Sequence, residues 1–141
     1  MTEQMSVKIA ALPSLRLTVE AHGLMAKKAL GQNFLLDQNN TDKIINLSLQ
    51  KQNKKDFSGA NVFEVGPGPG GLTRAVLAAE PKSLTVVEME ERCIAIMNEI
   101  KEKTGDILHI INGDAMQTDF SDLAPAPRHI VSNLPYNISV T

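Results

Sequence analysis

The sequence predicts an α/β fold in which a parallel sheet carries helices on both faces. Short apolar runs alternate with helical segments through most of the chain, and this alternation is typical of a parallel sheet. The runs show little polar alternation, as in Val86-Val87 and Ile110-Ile111, which indicates strands covered on both sides. A turn rich in glycine and proline follows the first run and opens a helix. Together these features predict an α/β domain built on a parallel sheet covered on both sides.

Local signals place the individual elements in chain order. Residues 1–26 show no firm periodicity, and their one suggestive run, Leu15 to Val19, alternates like a short strand or belongs to a loosely docked arm. We predict strands at 61–65, 84–88, 107–111 and 129–132. We also predict three helices, one that begins at Thr41, one at 72–79 and one at 90–103. Pro81 and Gly105 are expected to end the second and third of these helices. The chain then divides into an arm, residues 1–26, and an α/β domain, residues 27–141.

Length, charge and cysteine content narrow the class of protein. The 141 residues fit one domain, and 43% hydrophobic residues with a net charge of -2 argue against a disordered chain. No apolar run approaches the ~20 residues of a membrane span. Cys93 is the only cysteine, which excludes an internal disulfide and a thiolate-rich zinc site. Because the N-terminus also lacks a secretory or transit signal, we expect a cytoplasmic protein with no membrane association and no metal site.

Glycine or polar residues follow the ends of the four predicted strands. Ligands of parallel sheets bind beyond the carboxyl ends of the strands. The residues at those ends are Gly66, Glu88, Asp114 and Asn133. Either acid alone is equally typical of an ordinary loop or helix start, but the joint placement of all four along one rim predicts a ligand site.

Residues 66–71, Gly-Pro-Gly-Pro-Gly-Gly, match two cofactor patterns. One is the G-x-G-x-x-G of dinucleotide-binding proteins, and the other is the G-x-G-x-G usual in methyltransferases. In either case Glu88, about 20 residues further on, is placed to meet ribose hydroxyls. Pro67 and Pro69 lack the backbone N–H groups on which a pyrophosphate site depends, and Glu64 adds negative charge. The chemistry favours S-adenosylmethionine, which carries a sulfonium and an ammonium but no phosphate, over a nicotinamide cofactor.

Residues 133–136, Asn-Leu-Pro-Tyr, suit the recognition of a planar base that carries an amine. Asn133 offers a side-chain carbonyl, Pro135 a backbone carbonyl and Tyr136 an aromatic face. Two acceptors can hold both amine hydrogens while the ring stacks on the base. The same residue types also occur in turns, so this run alone does not decide between a site and a turn.

The longer run 133–139 resembles the N-x-P-Y/F signature of amino-group methyltransferases, and in particular that of the small-subunit rRNA adenine dimethyltransferases. Residues 28–35, Lys-Ala-Leu-Gly-Gln-Asn-Phe-Leu, are similar to the N-terminal cofactor motif of that family. The segments 64–68, 87–88 and 113–116 fall in the family's order and spacing. The resemblance spans roughly residues 14 to 139 and implies a Rossmann-like S-adenosylmethionine-dependent methyltransferase fold.

The resemblance implies a role for each matched position. Gly66 would lie against the methionine part of S-adenosylmethionine, Glu88 would hold its ribose hydroxyls and Asp114 would accept from its adenine amine. The implied cofactor-binding residues are Asn33, Leu35, Gly66, Gly68, Glu88, Asp114 and Asn133. Asn133 would border both cofactor and target base, and the implied catalytic residues are Asn133, Pro135 and Tyr136.

Family members methylate two neighbouring adenines near the 3′ end of small-subunit rRNA, twice each, during ribosome assembly. The resemblance therefore implies an RNA partner, the immature small ribosomal subunit, and a full-length protein that is monomeric. Two related functions stay open: a large-subunit rRNA adenine methyltransferase of the macrolide-resistance type, and a non-catalytic assembly or transcription factor of the same fold. A nicotinamide-dependent oxidoreductase is the more distant alternative.

The chain stops at Thr141, soon after the Asn-Leu-Pro-Tyr run, whereas family members continue through further strands and a helical C-terminal domain. We therefore expect residues 27–141 to form a partial methyltransferase domain, with a truncated parallel sheet flanked by helices. The sheet is expected to end in an exposed edge beyond the fourth strand. Such an N-terminal fragment should show little or no methyl transfer by itself.

Overall fold

Five strands form a single sheet in the computed structural model, which describes residues 4–24, 38–114, 128–134 and 137–140. The strands are β1 (Asn61–Val65), β2 (Ser83–Glu88), β3 (Leu108–Asn112), β4 (Arg128–Leu134) and β5 (Asn137–Val140). Their order across the sheet is β3-β2-β1-β4-β5, and the first four are parallel. This is the strand order of Rossmann-like folds, so the predicted α/β class is confirmed.

The edge beyond β4 differs from the prediction. We expected the sheet to stop at the fourth strand, but β5 pairs with β4 in antiparallel orientation, with Asn133 opposite Ile138 and Leu134 opposite Asn137. Only two residues separate the two strands in the sequence. A connection that short allows an antiparallel neighbour but not a parallel one, which needs a longer crossover.

The central strands are buried on both faces, as their apolar composition predicts. Four of the five β1 residues and four of the six β2 residues are buried. Val62 and Phe63 point to opposite faces of the sheet, and neither is exposed to solvent. The one charged residue buried within β1 is Glu64.

Five helices are described: α1 (Met5–Ala10), α2 (Leu15–Ala21), α3 (Gln38–Lys51), α4 (Gly71–Ala78) and α5 (Glu91–Thr104). The bounds of the last three agree with prediction to within a few residues. Gly105 ends α5 with φ 92°, a backbone conformation that favours glycine. No helix within the described ranges combines the length and the apolar composition that a membrane crossing requires.

The segment 15–19 is a helix rather than the short strand suggested by its alternation. Ser14 caps α2, because its side-chain oxygen accepts the backbone N–H of Leu17 at 3.2 Å. Leu15, Thr18 and Val19 are buried at helical spacing, whereas Leu17 is 58% exposed. The sequence therefore alternates by coincidence, and the buried positions follow the period of a helix.

Arg74 attaches the N-terminal helices to the sheet domain. Its guanidinium donates to the carbonyl of Pro13 at 2.7 Å and to the hydroxyl of Thr18 at 3.3 Å. The residue is 5% exposed, and burial lowers the pKa of the guanidinium. Because Arg74 lies in α4, directly after the glycine turn, the arm is held against the helix that follows β1.

Candidate functional site

The register of the sheet brings the predicted ligand residues to one rim. The N–H of Gly66, which follows β1, donates to the carbonyl of Val87 at 3.0 Å. On the other side of β2, the N–H of Gly113 donates to the carbonyl of Glu88 at 3.0 Å. These two hydrogen bonds place Gly66 and Glu88 side by side and position the partly buried Asp114 just beyond Gly113.

Asn133 belongs to the same rim on the opposite flank of β1. Val65 is in register with Ser132 of β4, so the next residue along each strand is Gly66 and Asn133 respectively. Asn133 lies within β4 rather than after it, because β4 extends to Leu134. The predicted row of four strand-end positions is therefore present in the backbone.

The three alternate glycines of the turn differ in what surrounds them. Gly66, Gly68 and Gly70 have φ values of 64°, 55° and 94°, backbone conformations that residues other than glycine rarely adopt. Within the part of the chain that the structure describes, a Cβ added to Gly66 or Gly68 would meet nothing within 4 Å, so these two glycines leave space in front of the turn. A Cβ on Gly70 would lie 2.9 Å from Ile100 and 3.0 Å from Met97, so this glycine permits packing of the turn against α5.

The turn offers no free backbone donor between residues 66 and 70. The N–H of Gly66 is bound to Val87, that of Gly68 points to Glu88 Oε1 at 3.4 Å and that of Gly70 donates to the carbonyl of Pro67 at 3.0 Å. The two prolines have no N–H. A pyrophosphate cradle needs several such donors, and this turn has already used its own.

Glu88 is held by the backbone around it. Its Oε2 accepts the N–H groups of Met89 at 2.8 Å and Glu90 at 3.0 Å, while Oε1 faces Gly68. The carboxylate is partly exposed at the rim and keeps acceptor capacity for a ligand. Met89, beside it, is 64% exposed, an unusual position for a large apolar side chain.

Glu64 lies beneath the turn. It is 1% exposed, and one oxygen accepts the hydroxyl of Thr73, the third residue of α4. Burial raises the pKa of Glu64 to about 7, and the charge of Glu88 adds to the shift against the lowering effect of Thr73. The other oxygen, Oε2, is buried and has no hydrogen-bond partner among the described residues.

Two residues of this site, Thr73 and Met89, were not predicted from the sequence. Thr73 was missed because nothing in the sequence pairs it with an acid nine positions earlier. Met89 left a weak signal, since an apolar residue directly after a strand-end acid is poorly placed for the core. Asn33, Leu35, Pro135 and Tyr136 lie outside the described residues.

Among the described residues, no group of three or more His, Cys, Asp or Glu side chains is arranged to hold a metal ion. A pocket of about 300 Å³ lies away from the rim, between α3 and the end of α4. It is lined by Asp42, Lys55, Asp56 and Glu80, together with alanines of α4 and the residue after it.

Residues 23–141 match the family model described as ribosomal RNA adenine dimethylase. Curated relatives carry the name ribosomal RNA small subunit methyltransferase A. One from Allorhizobium ampelinum is 50% identical over 90% of this chain and 44% of its own length. Relatives from Gluconobacter oxydans and Agrobacterium fabrum are each 47% identical over 92% of this chain, and over 41% and 46% of their own lengths.

The chain thus spans less than half the length of these relatives. The family match covers the glycine turn, Glu88, Asp114 and the Asn-Leu-Pro-Tyr run, and it extends over the whole five-stranded sheet. The predicted Rossmann-like methyltransferase fold is confirmed by this match together with the strand order. This chain belongs to the ribosomal RNA adenine dimethylase family.

Proposed function

We propose that this chain forms the cofactor-binding part of an S-adenosylmethionine-dependent methyltransferase that dimethylates adenines of small-subunit rRNA. The observation that carries the proposal is the rim itself, where an open glycine turn, a held carboxylate and Asn133 stand next to one another on neighbouring strands. The names of the relatives support the choice of the small subunit over the large one.

The residues at the rim fit this cofactor on three counts. Open space at Gly66 and Gly68 leaves room for close approach of a ligand. The buried Oε2 of Glu64, which has no partner among the described residues, suits a cationic group. A nearby cation would stabilise the ionised form of this carboxyl group. A phosphate-bearing cofactor such as NAD fits worse, because the N–H groups of Gly66, Gly68 and Gly70 already have acceptors and the two prolines of the turn have no N–H.

In this proposal Glu88 holds the ribose hydroxyls, Asp114 accepts from the adenine amine of the cofactor, and Gly66 and Gly68 line its methionine part. The exposed Met89 supplies an apolar wall beside the adenine. S-adenosylmethionine, when bound, supplies an electrophilic methyl group on a positively charged sulfur.

Asn33 and Leu35 are proposed to contact the cofactor from the N-terminal motif. The described residues flanking that segment support this. Gln38 donates to the carbonyl of Gly71 at 3.2 Å, and the carbonyl of Gly23 accepts from Arg92 at 2.9 Å. Gly23 therefore lies at the first turn of α5 and Gln38 at the first turn of α4. Both helices begin at the rim.

The target base is proposed to lie against Asn133, Pro135 and Tyr136. An adenine amine is a weak nucleophile because its lone pair is delocalised into the ring. Acceptors on Asn133 and Pro135 would hold both amine hydrogens and favour a pyramidal nitrogen, while Tyr136 would fix the plane of the base. Orientation is then the main contribution of the protein, and no strong general base is needed.

Methyl transfer, the small-subunit rRNA partner and a cytoplasmic location are proposed for a full-length protein of this family. We further propose that residues 1–26 are an arm and residues 27–141 the partial methyltransferase domain, and that the full-length form is a monomer. With this chain alone we expect little or no methyl transfer to immature small subunits. Robust transfer by the 141-residue chain would contradict that division of labour.

Calorimetric titration of the chain with S-adenosylmethionine and, separately, with NAD tests the proposed cofactor. We expect saturable binding of S-adenosylmethionine, a marked loss of affinity in Glu88→Ala, and no response to NAD. Glu102→Gln, an exposed acid on α5, is the matched control and should bind like the unaltered chain. Binding of NAD without a response to S-adenosylmethionine would overturn the proposal in favour of an oxidoreductase.

A further inference from the structure

The orientation of Glu88 depends on a turn of three residues at the rim. Two of the N–H groups that hold its carboxylate belong to Met89 and Glu90, the two residues that follow it. A shift of this turn would therefore move the donors and the carboxylate together. What fixes the turn also fixes the group proposed to bind ribose.

The turn is fixed from its far side by the cap of α5. The carboxylate of Glu90 accepts the N–H of Arg92 at 2.6 Å and that of Cys93 at 3.0 Å, the usual role of an N-cap side chain. Glu90 thus donates its backbone N–H to Glu88 and uses its side chain to begin the helix.

Arg92 joins this cap to the N-terminal helices. Its Nε donates to Glu90 Oε1 at 2.6 Å, and its Nη1 donates to the carbonyl of Gly23 at 2.9 Å. Gly23 follows α2 with φ 67°, the left-handed conformation typical of a residue that ends a helix. A second contact between the end of α2 and α5 joins His22 Nε2 to Glu99 Oε2 at 3.0 Å, away from the cap.

We propose that Arg92 is a positioning residue for cofactor binding: by holding the Glu90 cap and the Gly23 carbonyl at once, it fixes the turn that orients Glu88. Lysine cannot reproduce this role, since a single ammonium group lacks the rigid fork that spans both partners. The inference rests on the proposed function, because Glu88 matters only if it holds the cofactor.

Arg92→Ala tests this inference through two readouts. The first is backbone amide hydrogen exchange at Met89 and Glu90, measured by NMR without any ligand. The second is the calorimetric affinity for S-adenosylmethionine. Arg92 and Glu90 are both substantially exposed, so we expect each readout to change by about 1.5- to fivefold, the range of an exposed charged pair. Arg92→Lys should recover only part of either change.

Glu99→Ala is the matched control, because it removes the contact of His22 with α5 and leaves the cap intact. It should leave both readouts unchanged. Unaltered exchange in Arg92→Ala, or equal changes in Glu99→Ala, would overturn the positioning role. Faster exchange with unaltered affinity would overturn its link to the cofactor. If the unaltered chain binds no S-adenosylmethionine, the proposed function fails, while the exchange data still decide whether Arg92 holds the turn.

Discussion

Replacing Glu64 by glutamine should change how the stability of the protein depends on pH. Glu64 is fully buried, and its pKa is raised from 4.5 to about 7, mainly by burial. An acid with a raised pKa in the folded state stabilises the fold while it is protonated. That contribution is complete below the unfolded pKa of 4.5 and is lost as pH rises through 7.

The size of the effect follows from the shift. A change from 4.5 to about 7 corresponds to about 3 kcal/mol of unfolding free energy lost by the unaltered chain across this window. Glutamine keeps an acceptor for Thr73 and places an amide where Oε2 has no partner, so its own cost is the same at every pH. The stability of Glu64→Gln relative to the unaltered chain should therefore rise by about 3 kcal/mol between pH 4.5 and 7 and stay level above it.

Urea unfolding followed by far-ultraviolet circular dichroism at pH 5, 6, 7 and 8 measures this difference. Glu102→Gln, an exposed acid on α5, is the control and should follow the unaltered chain throughout. A difference between Glu64→Gln and the unaltered chain that stays constant with pH would contradict a raised pKa of Glu64, because Glu64 would then ionise as an ordinary surface acid does.

Three further predictions concern packing and burial. In Gly70→Ala the added Cβ would crowd Ile100 at a φ of 94°, so this change should lower the unfolding free energy by about 1–3 kcal/mol. Gly66→Ala should lower it less. A larger loss in Gly66→Ala, measured by chemical denaturation, would contradict this prediction. Arg74→Ala should expose the N-terminal helices to limited proteolysis at least several-fold faster while the sheet domain resists; uniform resistance would contradict the docking role. Cys93 should react with a thiol reagent at pH 8 only as fast as the chain opens, because it is buried and burial raises its pKa to about 12; rapid reaction in the folded chain would contradict this.

The class of fold and the row of residues at the rim can be predicted from the amino-acid sequence. Apolar runs of five or six residues, each followed by glycine or a polar residue, predict parallel strands and their carboxyl ends. Because parallel strands place those ends at one edge, the adjacency of Gly66, Glu88 and Asn133 follows from topology without any side-chain detail. The glycine turn and the two prolines likewise predict the kind of ligand, S-adenosylmethionine rather than a nicotinamide cofactor.

The tertiary structure decided the features that depend on long-range packing. The segment 15–19 alternates like a strand, yet it is helical because Ser14 caps it and the surface it meets buries positions at helical spacing. The expected open edge beyond the fourth strand is occupied by β5. Neither outcome is encoded in a local period.

Only the folded chain distinguishes residues that look alike in the sequence. Gly66 and Gly70 are two glycines of one motif, but the first borders open space and the second lies against α5. Glu64 and Glu88 are both strand acids, but burial beside Thr73 raises the pKa of one, whereas backbone donors hold the other at the surface. The physical reason is the same in each case: conformational strain, desolvation and hydrogen bonding depend on the neighbours that folding brings together, and sequence spacing does not identify those neighbours.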